Sequence, residues 1–313
     1  MDAVQKAQAL TPHELDSPGT FLRVDAATRH VLPSWHELWQ YREMLYFLVW
    51  RDIKVRYKQM LLGAAWAIIQ PVITMVVFTV VFGNVAKIPS NGIPYPLFSF
   101  AALVPWTFFS NGVALAVESL VGQAHLLKKI YFPRLYLPLA RVLSGLTDYC
   151  LALLVLFVLM IFYSFFVPVF AFSRTQSPLQ IPLAVTYIPS LSSIVPLLLL
   201  SALMVIVTFG VSIWVAALNI KYRDIRYLIP YLLQVMLFLT PIAYPSSLIQ
   251  EPGRTLYSLN PMVTVVDGLR WALLGLQAPS GLSVALSLCV TASFLLSGLI
   301  FFGRTEDTFS DFI

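Results

Sequence analysis

A basic turn between two apolar runs carries the residue types best suited to recognising another molecule. Residues 125–142 read HLLKKIYFPRLYLPLARV, so cations and aromatic rings surround Pro133. Cations form charge-assisted hydrogen bonds with carboxylates and phosphates, and apolar side chains exposed in a turn favour burial against a partner. The apolar side chains of Ile130, Tyr131 and Phe132 in this turn therefore favour contact with a partner.

Catalytic and metal-binding patterns are missing from the sequence. It contains no G-x-x-x-x-G-K-[ST] phosphate loop, so we expect no ATP hydrolysis by this chain. The four histidines lack an H-x-x-x-H spacing, and no arrangement of Ser, His and Asp can be argued. Cys150 and Cys289 fall in apolar runs, where small hydrophobic side chains are expected rather than a disulfide. We therefore expect neither an enzyme nor a resident cofactor or metal.

The composition is that of an integral membrane protein. Of the 313 residues, 58% are hydrophobic and 11% are charged, whereas a soluble domain has about 25% charged residues. The net charge of +5 is modest, and no basic block of the nucleic-acid-binding type occurs. Residues 1–33 are polar and lack the apolar core of a cleavable signal, so we expect the chain to begin in the cytoplasm.

Six apolar runs are long enough to cross about 30 Å of hydrocarbon as helices, which rise about 1.5 Å per residue. The sequence therefore predicts an all-α membrane protein with six transmembrane helices. The fifth run is the shortest and contains Pro230 and Pro241, which membrane helices tolerate where neighbours satisfy the freed carbonyls. The predicted spans cover residues 64–83, 96–118, 138–168, 192–220, 227–244 and 281–303.

Lysine and arginine are distributed unevenly over the loops. They cluster before the first span, in the turns after the second and fourth spans, and after the sixth span. The opposite loops hold only Lys87, Arg174, Arg254 and Arg270. The positive-inside rule then places both termini in the cytoplasm. The rule also offers a second interpretation of the basic turn, since cations that only fix topology against anionic lipid need no partner.

The segment before the first span predicts an interfacial helix. Here Arg51, Lys54 and Lys58 fall on one helical face and apolar side chains gather on the other, while Arg56 lies off the basic face. We expect this helix to lie in the membrane interface with its cations toward headgroups. The predicted organisation is a polar cytoplasmic segment (1–34), the interfacial amphipathic helix (35–62), a six-helix transmembrane domain (63–305) and a cytoplasmic tail (306–313).

The loop before the last span is unusual. Residues 245–280 are too apolar for a free loop and are broken by Pro252, Gly253 and Pro261. Two short re-entrant or interfacial helices fit this pattern, since non-helical backbone at membrane depth must be buried in protein or line a wet cavity. We expect the loop to cap or line a pathway.

Two stripes of polar and aromatic residues are candidates for lining that pathway. On the fifth run they recur at i, i+4, i+7 and i+11, and therefore share one helical face. Rings offer a broad apolar surface and polar groups offer hydrogen-bond partners to a passing molecule, although packing or the lipid belt explains such rings equally well. The candidates are Tyr227, Tyr231, Gln234 and Phe238 on the fifth run, and Gln70, Thr74 and Phe78 on the first.

Two acidic residues each admit two roles. Asp148 lies inside the third span, where an unpaired carboxylate is costly, so it is either a paired or protonated structural group or a switch between helices. Asp224, in the turn after the fourth span, either contacts a partner or pairs with Lys221 or Arg223 at the surface.

Over residues 35–305 the chain resembles the permease subunits of ABC-type polysaccharide exporters, which move O-antigens, capsules or teichoic acids. The resemblance is carried, in this order, by WRDIKVRYKQMLLGAAWAIIQPVI, VPWTFFSNG, LLKKIYFPRLYLPLARVLSGLTD, LNIKYRDIRYLIPYLLQ, TPIAYP and LNPMV. Each fragment alone is a weak signal, and the ordered set is a strong one.

This resemblance implies a homodimeric channel in the bacterial inner membrane, driven by two copies of a separate subunit that binds ATP and magnesium. The turn between the second and third spans would form a short coupling helix against that subunit, and Asp224 would contact it as well. The coupling residues would be Leu126, Lys128, Lys129, Ile130, Tyr131, Phe132 and Arg134. The first and fifth helices would line the channel. The implied cargo is a polysaccharide on a lipid pyrophosphate, which cations at the entrance would attract. Those cations are Arg51, Lys54, Arg56 and Lys58, for which ordinary anchoring to lipid headgroups is the alternative.

Two other functions compete with polysaccharide export. An ABC permease for a small lipid or drug would share the topology and the turn, but its pathway would not bind oligosaccharide. A membrane-embedded sugar or acyl transferase would need paired carboxylates or a His–Asp couple. The sparse acids, chiefly Glu118, Asp148 and Asp224, do not supply either one.

Overall fold

The computed structural model describes residues 35–58, 65–174, 190–250 and 252–306, and within these ranges every regular element is helical. Among the described residues, five helical stretches are long and apolar enough to cross a membrane: Ile68–Val85, Tyr95–Val117, Tyr136–Phe165, Leu191–Lys221 and Gly281–Thr305. A sixth apolar helix, Ile225–Leu239, is shorter. The chain is therefore a multi-pass, helical membrane protein.

Twelve α-helices are numbered here in chain order over the described residues. They are α1 (Trp35–Gln40), α2 (Arg42–Lys58), α3 (Ala65–Phe78), α4 (Tyr95–Val117), α5 (Ala124–Lys129), α6 (Tyr136–Ser144), α7 (Leu146–Arg174), α8 (Ile194–Lys221), α9 (Ile225–Leu239), α10 (Gly253–Tyr257), α11 (Pro261–Leu274) and α12 (Gly281–Thr305). A π-helical stretch, Thr79–Val85, continues α3.

The centre of the fold is the pair α4 and α8. Helix α4 starts with Pro96 in its first turn, where the missing N–H costs nothing, and 17 of its 23 residues are buried. It packs against α3, α7, α8 and α11, while α8 also packs against α12. At the α4–α8 contact an ideal Cβ on Gly112 would lie 2.7 Å from Cγ2 of Thr208, so the Thr208 methyl group occupies the space that a side chain at 112 would need.

The third predicted span, 138–168, consists of two helices. Helix α6 ends at Ser144, and α7 begins after Gly145, whose missing side chain leaves room for the Phe108 ring. Helix α2 packs along α6, so the segment before the first span is held against the start of the third.

Helix α9 is shorter than the predicted span, 227–244. It ends at Leu239, because Pro241 has no N–H to continue the helical ladder and disfavours helical torsion angles at Thr240. Thr240 has φ −106° and ψ 144°, which are extended values.

Between α9 and α12 the chain forms a 3₁₀ turn, Ser246–Leu248, and the helices α10 and α11. Asn260 caps α11 by accepting a hydrogen bond from the backbone N–H of Met262, and Gly275 ends it in the left-handed region at φ 69°. Twelve of the 14 residues of α11 are buried against α4, α8 and α12. This helix therefore belongs to the protein core.

Candidate functional site

The basic turn presents a short exposed surface. Helix α5 leads into residues 130–135, where the side chains of Lys129, Ile130 and Tyr131 are exposed and that of Leu126 is half-buried. Lys128 lies in α5, and its side chain is outside the described part of the structure. The surface is therefore smaller than the seven residues predicted from the sequence.

The prediction that Phe132 is exposed and contacts a partner is corrected by the structure. Only 3% of its side chain is accessible, because it packs in a core cluster where α2, α6 and α8 meet. Residues of this cluster include Leu48, Leu137 and Ile220. A ring in that place stabilises the turn and is not available to a partner.

The turn is tied to both ends of the described chain. The Tyr131 hydroxyl donates to the Glu37 carboxylate at 3.0 Å, and Tyr136 donates to the Leu38 carbonyl. Burial and then this bond to Glu37 raise the pKa of Tyr131, so the hydroxyl stays protonated at neutral pH. Arg134 donates to the carbonyl of Glu306 at 2.7 Å, just past the end of α12. Its guanidinium therefore holds the last helix.

Helix α2 does not divide into the basic and apolar faces predicted from the sequence. Trp50 and Lys54 share the outer surface, with the ammonium 5.5 Å from the centre of the ring, and Lys58 is also exposed. The inner face carries Asp52 and Arg56 instead. Ion pairing with α6 and α7 accounts for this arrangement, because buried charges require partners.

Along the contact with α6 and α7, the charges that α2 contributes alternate in sign. Asp52, which is almost fully buried, accepts a bond from Arg51 at 2.9 Å and lies 3.3 Å from the Arg141 guanidinium. One turn later, Arg56 pairs with Asp148. The acid of the third span is thus paired, and its second carboxylate oxygen accepts the hydroxyl of Tyr57. The Arg56 guanidinium is engaged within the protein, unlike the outward ammonium of Lys54.

A cavity of about 410 Å³ lies beside these ion pairs, bounded by the end of α2 and by α3, α4 and α7. Arg56, Arg141 and Asp148 line one part of it, and Gln70 of α3 and Asn111 of α4 line another. Gln70, a candidate for the pathway, therefore lies at this cavity.

The predicted stripes are placed differently on α3 and α9. On α9, Tyr227, Tyr231, Gln234 and Phe238 are all exposed. On α3, Thr74 is half-buried and donates to the carbonyl of Gln70 within its own helix. The prediction that Phe78 lines the pathway is corrected by the structure, since this side chain is buried in the core. Its ring lies against that of Phe82, with the ring centres 5.1 Å apart. An accessible stripe therefore exists on α9 and is interrupted on α3.

Asp224 lies in the exposed turn between α8 and α9. Its carboxylate makes no ion pair with any residue that the structure describes. The neighbouring cations lie over rings: Lys221 is 5.2 Å from the centre of Tyr222, and Arg226 is 4.7 Å from that of Tyr227.

Arg270 has a role that the sequence did not reveal. Counted from the sequence as a loop cation, it is a fully buried residue of α11. Its guanidinium donates to the carbonyls of Phe98 at 3.2 Å, Pro241 at 2.5 Å and Ile242 at 2.8 Å, and lies 3.5 Å from the centre of the Phe98 ring. One side chain thus joins α4 to the end of α9. The apolar residues on both sides of Arg270 in the sequence were the signal that could have indicated its burial.

The chain is similar in sequence to several transport proteins. Over 233 residues the chain is 33% identical to the O-antigen export system permease protein RfbA of Myxococcus xanthus, covering 74% of this chain and 80% of that protein. A protein of the same name from Klebsiella pneumoniae is 28% identical over 231 residues, or 73% of this chain and 78% of that protein. The polysialic acid transport protein KpsM of Escherichia coli is 22% identical over 257 residues, covering 82% of this chain and 91% of that protein. Residues 43–274 match the family described as ABC-2 type transporter. The chain belongs to the ABC-2 type transporter family.

Proposed function

We propose that the protein is the transmembrane subunit of an ATP-driven exporter that moves a lipid-pyrophosphate-linked, O-antigen-like polysaccharide out of the cytoplasm. Support for the cargo comes from the relatives, which are named for O-antigen and polysialic acid transport. The observation that supports coupling to an ATP-binding subunit is the exposed turn at Lys129, Ile130 and Tyr131. Hydrogen bonds fix this turn to both ends of the described chain.

The chain spans the bacterial inner membrane six times, with α9 as the short fifth span and both termini in the cytoplasm. The distribution of lysine and arginine supports this orientation. Helices α1 and α2 lie in the cytoplasmic interface, where the exposed rings of Trp39 and Trp50 beside cations suit the headgroup region. Helices α10 and α11 form the loop that re-enters the protein on the opposite side.

Two copies of the chain form the channel. Twofold symmetry is the commonest closed assembly, and six helices of one chain hardly surround a pore for a sugar polymer. Helix α9 has no buried residue in the single chain, so its rings are available to line a pathway between the copies. The lining residues that we retain are Tyr227, Tyr231, Gln234 and Phe238, with Gln70 and Thr74 of α3 at the edge.

Two copies of a separate subunit bind ATP and magnesium and dock on the basic turn. Apolar and aromatic side chains beside cations are the usual composition of such contacts. Lys129, Ile130 and Tyr131 make the contact, with Leu126, Lys128 and Asp224 beside it. Phe132 and Arg134 hold the shape of the turn. Arg51, Lys54 and Lys58 attract the lipid pyrophosphate at the entrance, whereas Arg56 holds α2 in place through Asp148.

Purification of the tagged chain from gently solubilised membranes tests this proposal. We expect an ATP-binding subunit to copurify, and Ile130→Asp to release it because a carboxylate replaces a half-exposed apolar contact. Leu191→Asp is the matched control, since Leu191 is also apolar and exposed and lies in the 3₁₀ turn just before α8, away from the basic turn in the sequence.

In the strains that produce these variants, export of the cargo is measured as the amount of polysaccharide on the cell surface. Retention of the ATP-binding subunit by Ile130→Asp, with normal export, would contradict the docking surface. ATP-dependent movement of a small lipid or drug, with no effect of the chain on surface polysaccharide, would contradict the cargo.

A further inference from the structure

The cavity between α3, α4 and α7 has an apolar floor. Phe108 and Leu115 of α4 and Tyr149 and Ala152 of α7 lie along it. Its volume of about 410 Å³ is within the range of ligand pockets, about 300–1,000 Å³. A cavity of this lining in a membrane protein suits an acyl chain, because hydrocarbon gains dispersion contacts there.

Hydrogen-bond donors without a protein partner surround the same cavity. The Nε of Arg141 is buried and has no partner among the described residues. The side-chain amides of Gln70 and Asn111 likewise form no hydrogen bond within the described ranges. A buried donor without a partner is costly, so the Arg141 Nε favours a ligand with acceptor oxygens, and the exposed amide of Asn111 is free to donate to a second oxygen of that ligand.

The charges that line the cavity indicate which acceptor it takes. Arg56 and Arg141 are positive and Asp148 is negative, which leaves one net positive charge on the lining. Guanidinium groups bind phosphate oxygens through charge-assisted hydrogen bonds. One positive charge balances one phosphodiester, and a pyrophosphate would bring a second negative charge toward Asp148.

We propose that this cavity binds one glycerophospholipid of the bilayer. Its single phosphodiester meets Arg141 and the amide of Asn111, and an acyl chain lies along the floor between α4 and α7. The bound lipid joins α3 to α4 and α7, so it is part of the folded subunit and not its cargo. This inference concerns lipid binding alone and does not rest on polysaccharide export.

The test is mass spectrometry of the lipids retained by the purified full-length protein after extensive detergent washing. Asn111→Leu removes an exposed amide, and Ala114→Phe fills the cavity from α4. Leu154→Phe is the matched control, because Leu154 is exposed on α7 and does not line the cavity. We expect Asn111→Leu and Ala114→Phe to retain about tenfold less phospholipid, as loss of about 1.4 kcal/mol of binding predicts, and the control to retain as much as the unaltered protein.

Three results would overturn the site: equal retention of phospholipid by both cavity variants, equal loss from the control, or preferential retention of a polyprenyl-diphosphate-linked sugar. The last result would assign the cavity to cargo. Phosphatidylglycerol and phosphatidylethanolamine both carry a single phosphodiester, and retention of either one, lost with the cavity variants, supports the proposal.

A second measurement uses only the unaltered protein, so it tests the site even if the cavity variants do not fold. Delipidated unaltered protein is titrated with mixed micelles that contain phosphatidylglycerol or phosphatidylethanolamine, and its Tm is recorded. Binding to the folded state alone raises the Tm in a saturable manner. A Tm that stays constant over the titration would contradict the site without any substitution.

Discussion

Helices α4 and α9 are both apolar, yet their environments in the chain are opposite. Most of α4 is buried among the helices around it, whereas none of the 15 residues of α9 is buried. In water this exposure would be unfavourable, but in a bilayer lipid covers apolar rings as well as protein does. Apolar composition therefore makes the two helices look alike, and contacts with polar groups elsewhere in the chain, such as Arg270 of α11, distinguish their places in the fold.

Removing the link between the two helices has the largest expected effect. Arg270→Ala leaves the carbonyls of Phe98, Pro241 and Ile242 without their donor, and each unsatisfied buried group costs about 1–3 kcal/mol. We expect the free energy of unfolding in detergent to fall by about 5 kcal/mol. Arg254→Ala is the control, since Arg254 is only half-buried. Equal Tm values for the two variants would show that the buried guanidinium does not hold the helices.

A matched pair of phenylalanines sharpens the comparison next. Phe100 of α4 is 1% exposed and Phe238 of α9 is 55% exposed. We expect Phe100→Ala to lower the free energy of unfolding by about 3 kcal/mol because it creates a cavity. Phe238→Ala should cost less than about 0.5 kcal/mol. Thermal unfolding in detergent measures both, and a similar loss from Phe238→Ala would mean that α9 is packed in the purified assembly.

The end of α9 is the point where its surroundings change from exposed to buried. The Thr240 hydroxyl donates to the carbonyl of Met236 at 2.8 Å and accepts from the amide of Asn260 at 3.2 Å. Thr240→Val keeps the shape but removes both bonds, and we expect a loss of about 1–2 kcal/mol in unfolding free energy. Thr74→Val is the control, because that hydroxyl bonds only within α3. A control as destabilised as Thr240→Val would argue against a special role for this helix end.

The smallest effect concerns the proposed transport along α9. Tyr231→Ala removes an exposed ring from the stripe, and a ring contact of about 0.5–1.5 kcal/mol predicts export slowed by about 2–10-fold. Expression and Tm should stay normal, because the ring is not buried. Leu232→Ala, on another face of the same helix, should export at the normal rate. Equal rates for both variants, measured as surface polysaccharide after induction, would return Tyr231 to a lipid-facing role.

The positions of five predicted spans agree with helices that are long and apolar enough to cross a membrane. Length and apolar composition determine that result, and both are local properties of the sequence. The end of α9 was missed because the sequence prediction allowed Pro241 within a membrane helix, whereas in the structure α9 ends before it.

Side-chain environments were predicted less well, because they depend on contacts between distant segments. Phe132 and Phe78 were expected to be accessible and are buried by helices far away in the chain. Arg56 lies off the basic face in the sequence, and its partner, Asp148, is 92 residues away. Periodicity reports which residues share a face, and it carries no information on what that face meets.

The close contact between Gly112 and Thr208 has a consequence for sequence variation. A Cβ at position 112 would collide with the methyl group of Thr208, so alanine at 112 requires a smaller residue, such as serine, at 208. Serine keeps the hydroxyl that donates to the Met204 carbonyl and removes the methyl that collides. Among descendants of this sequence the two positions should therefore change together. Glycine at 112 should occur with threonine at 208, and alanine at 112 should occur with serine at 208.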